Sequence, residues 1–317
     1  MEEEITARQE TNVVRVKRDP GTGRFAKADG NDTVDVQIDE QRIELTEDVA
    51  LKFLKEKGYD LNKDLRPTDR TVEIIPRLIR GKEYKIGLIS DTHLGSFKWQ
   101  RTCTESAYTY FEEQGITDVL HTGDIADGEK MFKGHEYEIY IHGADGQAQF
   151  VIDKYPHRDG ITTHFILGNH DASFLKNSGT NIGRRINDAR PDMKYEGILS
   201  ADMVFGSMTI SMLHPKGGTS YARSYRIQKT IEQLPPEKKP NVFLMGHFHS
   251  GVILPQYRNV LGWQLGCNQA QTSFERALGL FPECGWGMLT FKCDEEGAIC
   301  FTPQWIPYYK IKEEDYK

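Results

Sequence analysis

The chain lacks any run of about 18 apolar residues, so no stretch of it reads as a membrane-crossing helix. It also lacks an excess of positive charge. The formal net charge is −7, which argues against a broad basic surface for non-specific nucleic-acid binding. Bound divalent cations would still reverse the sign locally, so a nucleic-acid ligand stays open. Cysteines are few: Cys103, Cys267, Cys284, Cys293 and Cys300 make an odd count, and no C-x-x-C occurs. Reduced thiols in a cytoplasmic protein are the plain reading. The first residues, Met1-Glu2-Glu3-Glu4, are acidic with no apolar stretch behind them, the opposite of a signal peptide. Neither a G-x-S-x-G elbow nor a Walker A loop is present.

What is present divides the chain into three. Residues 1–30 carry no periodicity, contain the turn-forming run Asp19-Pro20-Gly21-Thr22-Gly23, and read as a disordered basic arm around Arg15, Lys17, Arg18, Arg24 and Lys27. Such an arm is either a solvated tail or a nucleic-acid contact. Residues 31–70 read as a small extension and linker. Val34, Val36 and Ile38 alternate as a strand does, and Thr46 is placed to cap a helix running to about Lys57. This extension is a candidate surface for a protein partner or a second copy. Residues 71–317 form the third region. Early strands there alternate with helices, one expected over 101–114 and another capped at Thr219 or Ser220, and later strands do not. That order predicts an α/β core of two sheets with helices outside.

Five short patches in this region each follow an apolar, strand-like run: Asp91-Thr92-His93, Gly123-Asp124-Ile125-Ala126-Asp127, Gly168-Asn169-His170-Asp171, Leu213-His214 and Gly246-His247-Phe248-His249. Loops beyond the carboxyl ends of strands escape the sheet ladder and can aim side chains at one point. Carboxylate, imidazole and Asn carbonyl suit Mn²⁺, Fe²⁺ or Zn²⁺ rather than a thiolate-bound structural zinc. In Asp91-x-His93 and His247-x-His249, alternate residues of an extended end point the same way and can meet one ion. Asp124, set after a glycine, is a carboxylate able to bridge two ions. His170 is free for proton transfer, with Asp171 or another carboxylate to orient it. His121, His135, His142, His157 and His164 lie outside the patches and read as surface or satisfied core residues. Lys216-Gly217-Gly218-Thr219 before the expected helix reads either as an anion-holding turn or as a plain turn.

Taken together, the five patches resemble the calcineurin-like metallophosphoesterases. The resemblance runs over residues 91–249 and implies a four-layer αββα sandwich with a two-metal site. It implies Asp91, His93, Asp124 and His249 around one divalent ion, and Asp124, Asn169, His214 and His247 around the other. Mn²⁺ is the expected metal, with Fe²⁺, Zn²⁺, Ni²⁺ and Mg²⁺ as alternatives. It further implies hydrolysis by a hydroxide bridging the two ions, with His170 protonating the leaving oxygen and Asp127 outside the ligand set.

In motif style the patches are most similar to the double-strand-break repair nucleases and to the exonuclease small subunits of archaeal DNA polymerases. Gly128 and Asp171 stand where the protein phosphatases of the superfamily carry Arg and Glu, which weakens that branch. Few residues follow His249, leaving little room for a DNA-capping domain. A compact nuclease on DNA or RNA is therefore expected. A phosphodiesterase or phosphatase for small nucleotides and other small esters is the alternative, and a silent nucleic-acid-binding subunit a third. Phe97, Trp99, Tyr137 and Tyr140 are candidate base-stacking residues, or else ordinary packing.

Overall fold

A computed structural model describes residues 15–16, 33–38, 41–46, 70–294, 297–309, 312 and 315. The chain divides into two compact units, Met1–Arg66 and Pro67–Lys317. In the first, β1 (Arg15–Val16), β2 (Thr33–Ile38) and β3 (Gln41–Thr46) form an antiparallel sheet in that order. The strand lies where Val34, Val36 and Ile38 alternate. Of residues 1–30 only Arg15 and Val16 are described, so the expected arm otherwise lies outside the described residues. Thr46 ends a strand; the helix expected after it, and the linker up to residue 69, lie outside the described residues.

The second unit continues with β4 (Thr71–Ile75), β5 (Glu83–Ile89), α1 (Arg101–Glu113), β6 (Asp118–His121), α2 (Ala144–Lys154), β7 (Thr162–Leu167), α3 (Ser173–Ser178) and α4 (Ile182–Ala189). Next come β8 (Met193–Ile198), β9 (Ser200–Phe205), β10 (Met208–Leu213), α5 (Tyr225–Gln233), β11 (Val242–Met245), β12 (Val252–Tyr257) and β13 (Val260–Gln264). The unit closes with α6 (Ser273–Leu278), β14 (Gly285–Asp294) and β15 (Gly297–Pro307). Two six-stranded sheets result, ordered β12-β13-β11-β10-β9-β4 and β15-β14-β5-β6-β7-β8.

Side-chain alternation explains the layering. On β5, Ile86 and Leu88 point into the cluster between the sheets, where they join Leu120, Ile166, Met203, Ile210, Met212, Leu244 and Trp263. Ile89, Val119, Phe165 and Leu167 point the other way, onto Cys103, Ala107 and Phe111 of α1, Val151 of α2 and Ile186 of α4. On the far sheet, Phe243 and Met245 of β11 meet Ile227 and Ile231 of α5. Burying each such aliphatic side chain is worth roughly 1.5–3 kcal/mol. Central strands are thus apolar on both faces, and the architecture is the four-layer αββα sandwich.

Helix α5 starts later than its sequence spacing implied. Thr219, Ser220 and Tyr221 lie in the loop before it, and Tyr221 is fully exposed. Ile227 and Ile231 form the buried stripe, resting on Gly262, where a Cβ would meet their Cδ1 atoms at 3.2 and 3.0 Å. The turn at residues 216–219 therefore does not sit at a helix N-terminus, and the anion-holding reading of it fails.

His164, expected as a bland histidine, anchors a buried ion cluster between β6, β7 and β8. Its Nδ1 lies 3.0 Å from Glu196 Oε1 and its Nε2 3.3 Å from Asp118 Oδ1, while Arg70 pairs with the other Glu196 oxygen at 3.0 Å. Burial works against the charged ring, but the bonds to Asp118 and Glu196 outweigh it and raise its pKa above the usual histidine value. A raised folded-state pKa means stability that is full below the unfolded value, near 6.5, and is lost as pH climbs through the folded value. His164→Gln is expected to cost roughly 1.5–3 kcal/mol below that pH, from hydrogen bonds to charged groups. Urea titrations at a series of pH values check this: the gap between variant and wild type must narrow as pH rises.

Candidate metal centre

Five parallel-running strands end at the site. Asp91 follows β5, Asp124 follows β6, Asn169 follows β7, His214 follows β10 and His247 follows β11. The first three strands belong to one sheet and the last two to the other, so the site spans the carboxyl edges of both. Backbone bonds lace the loops together: Asp91 N–H donates to Gly123 O at 3.0 Å, His93 N–H to Asp124 O at 3.0 Å, and Gly246 N–H to Leu213 O at 3.1 Å.

Strain concentrates here. Nine non-glycine residues among those described have positive φ, and Asp91, His93, Asp124, His247 and His249 are five of them. Such conformations cost of order 1–3 kcal/mol each and persist only where the surroundings impose them. Glycine is needed beside them for room. A Cβ on Gly168 would lie 2.1 Å from Asp124 Oδ1, and one on Gly123 2.6 Å from His214 Nδ1.

Each histidine of the cluster has one nitrogen tied to the protein and the other facing inward. His93 Nδ1 bonds Asp127 Oδ1 at 2.8 Å, and His249 Nδ1 bonds Glu275 Oε1 at 2.8 Å. His214 Nδ1 faces Thr122 O at 2.8 Å, and His247 Nε2 faces Gly217 O at 2.8 Å. With those nitrogens as donors, the inward nitrogens are the ones left to offer lone pairs to a cation, which would displace any proton they carry. Two of these, Nε2 of His93 and His249, face each other at 3.1 Å, with Asp91 Oδ1 3.4 Å from the latter. His214 Nε2 lies 2.9 Å from Asn169 Oδ1 and 3.1 Å from Asp124 Oδ2. Lone pairs and carboxylate oxygens this close fit a divalent cation.

Among the described residues four groups of donors lie close enough to hold an ion: Asp91-His93-His249 and Asp124-His214-His247 match the two expected positions, and His93-Asp124-His170 and Asp127-His135-His170 are the others. The donor set fits two divalent cations. Burial opposes charge on Asp91, yet the His249 bond and His214 hold its carboxyl well below the usual range. Burial likewise opposes charge on Asp124, and His214 and His170 hold it down. The Asp124 carboxylate in turn carries His214 up to about 9 against the effect of burial.

His170 occupies a separate place. Its backbone N–H donates to Asp124 Oδ1 at 2.8 Å, and its Nδ1–H donates to Asp127 O at 2.5 Å. Burial brings the ring down to about 4. Asp171 does not orient it. Its carboxylate instead accepts backbone N–H bonds from Ala126 at 2.8 Å, Ile125 at 3.1 Å and Gly168 at 2.9 Å, pinning the Asp124 loop to the Asn169 loop. Burial and the neighbouring Asp124 charge push that carboxyl up to about 7.

Asp127 takes the orienting place. Besides His93 and the His170 carbonyl contact, it meets His135 Nε2 at 3.2 Å and accepts from Gln269 Nε2 at 3.2 Å. His135 is thus a residue of the site, not a bland one. His121 is a satisfied core histidine: Gly123 N–H donates to its Nδ1 at 3.1 Å, its Nε2 faces Thr92 Oγ1 at 3.1 Å, and burial lowers it to about 3.

Glu275 was missed. One carboxylate oxygen holds His249 and the other caps its own helix, accepting from Thr272 N–H at 2.9 Å. The T-x-x-E capping box was readable in sequence; the reach to His249 was not. Glu275→Gln is expected to weaken metal binding about 10- to 100-fold while leaving the helix formed. Titration of metal into metal-stripped protein, beside circular dichroism, checks it.

Above the cluster lies a cleft of about 650 Å³. The expected stacking residues do not line it. Trp99 is buried with its Nε1 on Thr104 at 3.1 Å, and Phe97, Tyr137 and Tyr140 face solvent elsewhere. Its aromatic lining is Phe132, Phe248, Phe274, Phe281 and Tyr221.

An αββα sandwich with carboxylates and imidazoles gathered on the edges of both sheets defines a metallophosphoesterase architecture. A family model described as the calcineurin-like phosphoesterase superfamily domain matches residues 84–261, more than half of the chain, and the chain belongs to that superfamily. No curated protein matches its sequence. Among solved structures it is similar to Vps29 of Chaetomium thermophilum, at 11% identity over 72% of this chain and 100% of that one, TM-score 0.37. A dimetal phosphatase from Danio rerio is similar at 11% identity over 69% of this chain and 98% of that one, TM-score 0.37. The phosphoesterase Yfce of E. coli matches at 14% identity over 69% and 98%, TM-score 0.34. Likenesses this distant carry no inference about activity.

Proposed function

We propose that the protein hydrolyses phosphodiester bonds of DNA or RNA with two divalent cations, Mn²⁺ foremost. Asp91, His93, Asp124 and His249 would hold one ion, and Asp124, Asn169, His214 and His247 the other. The observation that carries this is the position of Asp124, whose carboxylate stands between two groups of inward-facing imidazoles. When bound, the ions supply charge neutralisation at the phosphoryl oxygens and a water made acidic enough to attack at neutral pH.

The chain's own groups do the rest. Asp127 and Glu275 fix the tautomers of His93 and His249. Asp127 O holds the His170 ring by Nδ1, so Nε2 is the nitrogen free for substrate. Burial keeps this ring neutral in the free protein; a bound phosphate's negative charge beside Nε2 favours its protonation, and the proton then passes to the departing oxygen. No covalent enzyme intermediate is required.

A second reading, hydrolysis of small phosphodiesters, draws on the cleft volume of about 650 Å³, which suits a small ligand. Single-stranded DNA, a cyclic nucleotide and bis-p-nitrophenyl phosphate, each with Mn²⁺, separate the two. Cleavage of the small esters alone would remove the nuclease reading, and cleavage of none, with no metal taken up, would leave the silent subunit. The free thiols of Cys103, Cys267, Cys284 and Cys300 fit a cytoplasmic setting. Residues 31–70 remain the proposed surface for a protein partner or a second copy.

A further inference from the structure

A row of rings leads outward from His170. The His93 and His170 rings meet edge to face with centroids 4.7 Å apart, and His170 meets His135 the same way at 5.5 Å. His135 and Phe132 lie 4.8 Å apart, and Phe132 stacks on Phe274 at 4.2 Å with planes 15° apart. The row begins at the leaving-group histidine and ends at a ring with an open face, since Phe274 is 41% exposed. Leu278 and Phe281, at 59% and 73%, are exposed and line the same cleft.

This wall is a built surface. Residues 272–281 are held by the Thr272–Glu275 capping box, by Phe274 N–H on Glu138 Oε1 at 3.2 Å, and by Gln271 Nε2 on Leu280 O at 2.7 Å. Glu275, one residue from Phe274, ties the same helix to His249. Large apolar side chains that are fixed in place yet exposed beside a polar centre mark a binding site.

We propose that this wall is a subsite for one unstacked nucleobase, lying on the leaving-group side of the scissile phosphate against the open face of Phe274. The proposal rests on the phosphodiesterase reading above. Phe132 and Phe274 stand too close to admit a ring between them, so the base adds to the outside of the pair. A cleft of about 650 Å³ accepts a nucleotide or two but not the body of a duplex. A base inside a duplex has its faces covered, so the subsite selects single-stranded or frayed ends. Stacking is tolerant of base identity, which predicts weak sequence preference.

The test uses the full chain with Mn²⁺ and a dinucleoside monophosphate, beside two analogues that each have one base replaced by hydrogen. Loss of one of the two bases is expected to lower kcat/KM about tenfold, and loss of the other to matter little. Phe274→Ala should bring the ratio of base-bearing to base-less substrate close to one. Phe274→Leu, apolar without an aromatic face, should do the same. A variant that is merely unstable lowers both rates and keeps the ratio. Equal rates on all three substrates in the wild type, or a preference that survives Phe274→Ala, would overturn the subsite. If the wild type hydrolyses no diester, the phosphodiesterase reading falls, and calorimetric binding of a nucleoside 5′-monophosphate against ribose 5-phosphate then decides. Tighter binding of the nucleotide that is lost in Phe274→Ala keeps the subsite; equal binding removes it.

Discussion

His170→Asn is expected to keep the bound metal near the wild-type level and to lower turnover at least about a hundredfold, the usual weight of a general acid. The geometry separates the two properties. Only the backbone N–H of His170 bonds to Asp124, at 2.8 Å, and asparagine retains that donor. The ring is held from behind by Asp127 O, and of the side chains assigned to the two ions only Asn169 shares its loop; Asp91, His93, Asp124, His214, His247 and His249 belong to others. Elemental analysis of the purified variant, beside kcat on bis-p-nitrophenyl phosphate, checks both halves. Full activity would remove His170 from the proton path. Lost metal would place it in the ligand set instead.

Legibility in the sequence followed a physical pattern. Strands β5, β6, β7, β10 and β11 are buried on both faces, so each reads as an apolar run, and each run stops where a patch begins. The patches were therefore visible as strand ends with metal-binding side chains. Met193–Ile198 was not, because Lys194, Glu196 and Gly197 interrupt its pattern; Glu196 is buried only through His164 and Arg70. The start of α5 was misplaced for a related reason: tyrosines at 221 and 225 mimic helical spacing, while Gly217 at φ +99° and its carbonyl bond from His247 commit the loop to the site.

What spacing cannot encode is who meets whom across long sequence distances. Asp171 stands next to His170 in sequence, which made it the natural candidate for orienting the ring. Side chains of neighbouring residues diverge, however, and its carboxylate turns into the backbone of residues 125, 126 and 168. Asp127, with 42 residues between it and His170, meets the ring instead, and Gln269 and Glu275 arrive from the segment between β13 and β14, Glu275 on helix α6. These partners orient the ion-facing groups, so their absence from the sequence reading left the ligand pattern visible without the parts that aim it.

Asp124→Asn is expected to deplete both ions, in contrast to His170→Asn. Among the described residues Asp124 is the one carboxylate shared by both histidine groups, with Oδ2 3.1 Å from His214 Nε2 and 3.9 Å from His93 Nε2. Its Oδ1 is already engaged by the His170 N–H at 2.8 Å, so the substitution changes few hydrogen bonds. What it removes is a buried negative charge beside both groups of donors, which would offset the mutual repulsion of two dications held there. An amide oxygen keeps the shape without offsetting that repulsion, and its NH2 group would turn a donor towards the lone pair of His214 or His93. Loss should therefore be cooperative: metal content is expected to fall towards zero, not to half. Activity should fall with it and recover little on adding Mn²⁺. A variant that held one ion per chain would show that the two positions fill independently, and Asp124 would then belong to one of them alone.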